Sequence, residues 1–164
     1  MRLTALIFSA VFTMSLSACE KFPVPVDQEE QKQTEDKGQQ DENENTQFMT
    51  MNITAGGKTI TATLADNIAA KALADKLQSG PITVEMKANG FEHYGPLGFS
   101  LERQDEKISA VSGDIMLYNG DNICIFYGSN SWAYTPLGKV DGKSAEELKA
   151  FFGTGTVSVT FSTE

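Results

Sequence analysis

The chain has 164 residues, 40% of them hydrophobic and 21% charged, with 22 acidic against 13 basic side chains and a net charge of −9. That balance excludes a nucleic-acid partner, which needs a basic stripe, and the length fits one modest domain plus a tail. The acidity is uneven: residues 20–47 hold nine acids and three bases, so most of it belongs to that short piece.

In chain order, Arg2 opens a short apolar run through Leu6-Ile7-Phe8 and Val11-Phe12, which closes on Leu16-Ser17-Ala18-Cys19. The run has the length of a secretory signal and is too short to span a bilayer as a stable helix. Leu-Ser-Ala-Cys resembles the bacterial lipoprotein box. The resemblance implies a diacylglyceryl group on the Cys19 thiol, cleavage before it, and acylation of the new amine, with palmitate as the expected acyl group. Two or three acyl chains hold firmly where one is marginal. Residues 1–18 are thus expected to be a signal peptide. The mature chain is expected outside the cytoplasm, anchored to membrane lipid of a bacterial cell through Cys19. The alternative is an ordinary cleaved signal with Cys19 incidental. With Cys19 lipidated, Cys124 has no partner within the chain, and Ile123-Cys124-Ile125-Phe126 reads as the setting of a small buried hydrophobe.

Residues 19–47 read as the lipidated cysteine followed by a disordered acidic tether. Glu29-Glu30-Gln31-Lys32-Gln33 and Asp41-Glu42-Asn43-Glu44-Asn45 contain too few apolar groups to offset the entropy of ordering. Such a coil spans about 30 Å root-mean-square and about 100 Å when fully extended.

Residues 48–164 carry the folded domain. Met51, Ile53 and Ala55 alternate with polar residues, Gly56-Gly57 supplies a tight turn, and Ile60, Ala62 and Leu64 alternate on the return. Asp66 is the expected N-cap of a helix whose apolar residues, Ile68, Ala69, Ala72, Leu73 and Leu77, recur at helical spacing until Ser79-Gly80-Pro81. Ile82, Val84 and Met86 then form a half-buried strand. Asn89–Gly98 reads as a Gly-rich aromatic loop, and Ile108 with Val111 as a short strand. Ile115–Tyr118 and Ile123–Tyr127 are apolar strands joined at Asn119-Gly120. Gly128–Gly138 reads as a second aromatic loop. Ser144 and Glu147 make a capping box ahead of Leu148, Phe151 and Phe152, and Val157, Val159 and Phe161 end the chain in a strand. Together these predict a mainly β fold: a closed or nearly closed barrel of about eight strands, with two helices capping its open ends.

The segments Gly95–Leu101, Gly113–Tyr118 and Ile125–Gly128, followed by Trp132 and Leu137-Gly138-Lys139-Val140, resemble the bacterial cyclophilin-like domain family over roughly Met51 to Phe161. The resemblance implies a compact eight-stranded barrel with two capping helices, in agreement with the order of elements. It does not bring the activity with it. True cyclophilins are prolyl isomerases with a Phe-His-Arg run and a Gln-Gly-Gly-Asp stretch, and neither occurs here. Arg103, the one arginine outside the signal, has no matching neighbours. No catalytic residue is carried over.

Other chemistry is sparse. His93 is the sole histidine, with no Gly-x-Ser-x-Gly elbow to serve, and it reads as a surface or loop-packing residue. One histidine and one strand cysteine cannot build a transition-metal site, and calcium and phosphate loops are missing. No cofactor or metal is expected. The candidate ligand-binding residues are the polar-tipped aromatics and their neighbours: Phe91, His93 and Tyr94 in one loop, and Tyr127, Asn130, Trp132 and Tyr134 in or beside the other. The competing expectation, favoured by the way small barrels fill their interiors, is that Trp132 and Tyr134 plug the barrel mouth. The leading functional expectation is a non-catalytic module binding a peptide or small apolar ligand. A prolyl isomerase with a divergent site and an envelope structural or assembly protein are the alternatives.

Overall fold

A computed structural model describes residues 49–163. Cys19, the signal segment and the acidic tether lie outside the described residues.

Nine strands and two helices follow one another as β1 (Thr50–Ala55), β2 (Lys58–Leu64), α1 (Ile68–Gln78), β3 (Ile82–Ala88), β4 (Glu92–Pro96), β5 (Glu106–Ala110), β6 (Asp114–Tyr118), β7 (Asn122–Phe126), β8 (Asn130–Val140), α2 (Ala145–Phe152) and β9 (Thr156–Ser162). All ladders are antiparallel, in the order β2-β1-β9-β3-β4-β7-β6-β8, and β2 pairs with β8 to close the ring. Eight strands therefore form the barrel. The ninth, β5, pairs only with the first half of β8, from Asn130 to Tyr134, and extends the sheet outward as a ribbon.

The turns follow local chemistry. Gly56 and Gly57 link β1 to β2 at positive φ, and Asn119 and Gly120 do the same for β6 and β7. Ser144 and Glu147 form the capping box of α2, each side chain meeting the other residue's backbone N–H. α1 begins one residue later than expected. Asn67, rather than Asp66, accepts the Ala70 N–H, at 2.9 Å, and its amide nitrogen also donates to the Pro136 carbonyl at 2.8 Å. An aspartate can only accept, so the amide secures both bonds.

α1 joins the end of β2 to the start of β3, and α2 joins the end of β8 to the start of β9. In this antiparallel ring those junctions lie at opposite ends of the barrel. Leu73 and Leu77 of α1, and Leu148 and Phe152 of α2, enter the same core as Met51, Ile53, Met86, Ile115, Leu137 and Phe161. Each fully buried side chain of this kind contributes about 1.5–3 kcal/mol.

Two expectations are corrected. The segment from Asn89 to Gly98 contains strand β4, and the segment from Gly128 to Gly138 lies largely within β8, the longest strand. Pro136 is tolerated in β8 because the register shifts there: Ile115 faces Gly138 while Met116 faces Pro136, leaving Leu137 as the extra residue of a bulge.

Candidate functional site

The outer wall of the barrel carries a second, smaller apolar cluster. Ala110, Met116, Cys124, Phe126 and Tyr134 are buried there, with Phe91, Tyr94, Ile108 and Tyr118 packed around them. The β5–β8 ribbon creates it by folding a second layer over the outer faces of β4, β6 and β7. Strand alternation selects the members. On β4, Glu92 and Tyr94 face outward. Cys124 and Phe126 do so on β7, with Cys124 paired to Tyr94 and to Met116. On β8, Asn130, Trp132 and Tyr134 share one face.

A cleft of about 380 Å³ opens in this cluster. Phe91, Tyr94, Trp132 and Tyr134 form its walls, Tyr118 and Asn130 extend them, and Glu92, Cys124 and Asn89 complete the lining. The rings are ordered by mutual contact: Phe91 stacks on Phe126 at 6.1 Å, Phe126 meets Tyr134 edge-on at 5.5 Å, and Tyr134 meets Tyr118 at 6.2 Å. Asn130 fixes the Tyr134 hydroxyl by donating to it at 2.8 Å. Trp132 is 58% exposed and stands at the rim. Neither Trp132 nor Tyr134 plugs the barrel mouth: Tyr134 belongs to the outer cluster and not to the barrel core, and Trp132 lines the cleft beside it.

Glu92 was not singled out by sequence reasoning. Its side chain is only 7% exposed, yet it lines the cleft. Oε1 accepts from the Asn89 amide at 3.2 Å, and Oε2 has no hydrogen-bond partner. The Cys124 thiol lies close enough to lower the carboxyl slightly, but a thiol is a weak donor. Burial dominates and pushes the Glu92 pKa up. The Cys124 thiol is raised far above its ordinary value, first by burial and then by the charge of Glu92, so it is not a nucleophile at neutral pH. Burial, then the charge of Glu92, raises the Tyr127 hydroxyl; burial also leads for Tyr134.

The backbone holds this carboxyl in place. The Glu92 carbonyl accepts the Asn89 N–H at 2.8 Å and the Tyr127 hydroxyl at 2.8 Å. The Phe91 carbonyl accepts the N–H groups of Tyr127 and Gly128, at 3.0 and 2.8 Å. Gly128 is required for that approach, since a Cβ there would stand 2.8 Å from the Phe91 Cβ.

Of the seven residues expected to bind ligand, the structure brings Phe91, Tyr94, Asn130, Trp132 and Tyr134 together. His93 and Tyr127 face the other side of the wall. His93 is fully buried, not a surface or loop residue. It stacks on Phe152 at 5.1 Å and lies 5.6 Å from Tyr127, and its Nε2 is 3.1 Å from the Gly155 carbonyl. Nε2 therefore carries the proton and donates, while Nδ1 has no partner. Burial pushes the His93 pKa down, against the smaller opposing effect of the Gly155 bond. Arg103 does not line the cleft; its guanidinium pairs with Asp105. Among the described residues, no group of three or more His, Cys, Asp or Glu side chains is placed to hold a metal ion.

Fold and cleft together define a closed antiparallel barrel of the cyclophilin type with an aromatic cleft on its outer wall. The chain belongs to the Cyclophilin-like family, whose model matches residues 53–162, from within β1 to the end of β9. It is similar to the solution structure of a hypothetical protein from Archaeoglobus fulgidus, with 19% identity and a TM-score of 0.56. The match covers 71% of this chain and 95% of that one. At that identity the likeness concerns the fold. Comparison with curated proteins finds no match.

Proposed function

We propose that this cyclophilin-like domain is a ligand-binding module, working at the outer-wall cleft and held outside the cytoplasm by a lipid on Cys19. One observation carries the binding reading: a cleft of about 380 Å³ is lined both by an exposed tryptophan and by Glu92, a buried residue whose Oε2 has no partner. A volume of that size suits a small molecule or one peptide side chain rather than a folded partner. An indole left in water and an orphaned polar atom both cost free energy, and a ligand spanning them offsets both costs.

Trp132 is the sole tryptophan, so its fluorescence reports the cleft directly. A shift and saturable quenching are expected with members of a panel of small aromatic molecules and short peptides. Fluorescence unchanged across the panel removes the binding reading. The anchor is tested separately. Cys19→Ser is expected to move the protein from the membrane fraction to the soluble fraction and to remove the lipid mass from the N-terminal peptide. An unchanged distribution discards lipidation at Cys19.

A further inference from the structure

We propose, building on the ligand-binding reading of the cleft, that the ligand is a small organic ammonium ion carrying an aromatic or apolar group. Three observations carry this. The cleft is lined by one carboxyl group, Glu92, and by no lysine, arginine or histidine. Glu92 is more than nine-tenths buried, and Oε2 has no hydrogen-bond partner. The rings of Phe91, Tyr94, Trp132 and Tyr134 line the same cleft.

Each class of ligand meets these groups differently. An anion would find no positive partner and would be repelled by Glu92 once ionised. A neutral apolar ligand would leave Oε2, already out of contact with water, without a partner. An ammonium ion donates an N–H to Oε2 in a charge-assisted bond and places its positive charge among aromatic rings, which attract cations through their π faces. Its apolar substituent then covers the ring surfaces and reaches the exposed indole of Trp132. Among the hydroxyl and thiol groups that also line the cleft, those of Cys124 and Tyr134 are both raised and stay neutral near pH 7. Glu92 is the one carboxyl group that such a ligand would meet there.

Titration calorimetry on the full chain tests the proposal with 2-phenylethylammonium, its neutral counterpart 2-phenylethanol, and phenylacetate. N-acetyl-lysine methylamide, as the chloride, is the arm that represents a lysine side chain of a peptide. The expected result is that an ammonium probe binds about tenfold tighter than the alcohol, a ratio set by one hydrogen bond to a charged group. Phenylacetate is expected to bind weakest. The tighter of the two cations then names the source as a free amine or a peptide lysine. Glu92→Gln is expected to abolish the preference for cation over alcohol, with thermal unfolding confirming that the variant is folded. Trp132→Leu, a change at an exposed position, is expected to weaken the cations while keeping their preference. Equal affinity for cation and alcohol, or a preference that survives Glu92→Gln, overturns the ammonium assignment and leaves binding in the cleft intact. Trp132 quenching by neutral members of the panel, with no heat from either cation, does the same. Silence from Trp132 across the whole panel instead removes the cleft reading beneath it.

Discussion

Glu92 and His93 are consecutive in the chain, both are buried, and they face opposite sides of the barrel wall. Glu92 lines the outer cleft, and His93 stacks on Phe152 inside. Each keeps one polar atom without a partner, Oε2 and Nδ1 respectively. Desolvation favours the neutral form of both, so it moves their pKa values in opposite directions. The two effects are separable, because one side chain belongs to the binding surface and the other to the core.

The folded-state carboxyl of Glu92 is held above its ordinary value of 4.5. Its favourable contribution is therefore complete below that value and is lost as pH rises through the raised folded value. Glu92→Gln removes the titration while retaining an oxygen for the Asn89 amide. The variant is expected to match the wild type near pH 4 and to exceed it at pH 7 by about 1 kcal/mol, the scale of a buried polar group left unpaired. Urea unfolding of both proteins across this range measures the difference. A constant difference would show that Glu92 does not titrate in this window.

His93 gives the reverse slope. Its folded pKa lies below the ordinary 6.5, so its contribution is complete above 6.5 and is lost as pH falls through the lowered folded value. His93→Phe keeps an aromatic ring against Phe152 and removes the charge. The Gly155 carbonyl is not orphaned, because it also accepts the Ala88 N–H at 3.3 Å. At pH 8 the variant is expected within about 1 kcal/mol of the wild type, as for a volume-conserving core change. Between pH 6.5 and 5 the wild type should lose stability relative to it. Parallel unfolding midpoints over that interval would contradict the placement of a neutral imidazole.

Elements closed by neighbouring residues were legible in the sequence. Gly56-Gly57, Asn119-Gly120 and the Ser144–Glu147 box each satisfy their own backbone groups, so their meaning does not depend on the rest of the fold. β4 and the outer half of β8 were hidden because most of their pairing is with distant strands. β4 shares two residue pairs with neighbouring β3 but five with β7, about thirty residues away in sequence, and the outer half of β8 is held by β5. Gly95 and Pro136 read as loop signals, but each solves a contact made only in the barrel. A Cβ at Gly95 would meet the Glu85 carbonyl oxygen at 2.6 Å, and Pro136 sits at a bulge. The cleft was half legible. The period-two spacing of Asn130, Trp132 and Tyr134 was present in the sequence, as was that of Glu92 and Tyr94. Glu92 is buried only by tertiary folding, which sets it opposite Phe126 of β7. Had the two loops been read as strands, the same alternation would have turned His93 away from Tyr94.

Cys124 is expected to be inert despite lining the cleft. It is 2% exposed, and burial and Glu92 together raise its thiol far above the ordinary range. In a Cys19→Ser chain it is the sole thiol. Ellman's reagent at pH 8 should leave it unmodified in the folded protein and titrate one thiol in denaturant. Glu92→Gln removes the Coulomb part of the shift but not the burial, so the folded variant should remain protected. Rapid labelling of the native chain would mean that the cleft opens to the depth of Cys124.

Gly128 joins the stability of the barrel to the shape of the cleft. Its Cβ position is occupied by Phe91, at 2.8 Å from Cβ and 3.1 Å from Cα, so Gly128→Ala must push that strand start away. The movement strains the bonds from Tyr127 and Gly128 to the Phe91 carbonyl and shifts a ring stacked on Phe126. Overpacking of this kind costs about 1–3 kcal/mol. The loss should appear as a lower denaturant midpoint at unchanged slope. Any ligand that quenches Trp132 should also bind more weakly to the variant, because Phe91 and Trp132 line the same cleft. Phe91→Ala keeps the Cβ and Cα that crowd position 128, so in the Gly128→Ala background it should recover neither the midpoint nor the affinity. Recovery of the midpoint would place the crowding at the Phe91 ring rather than at its Cβ.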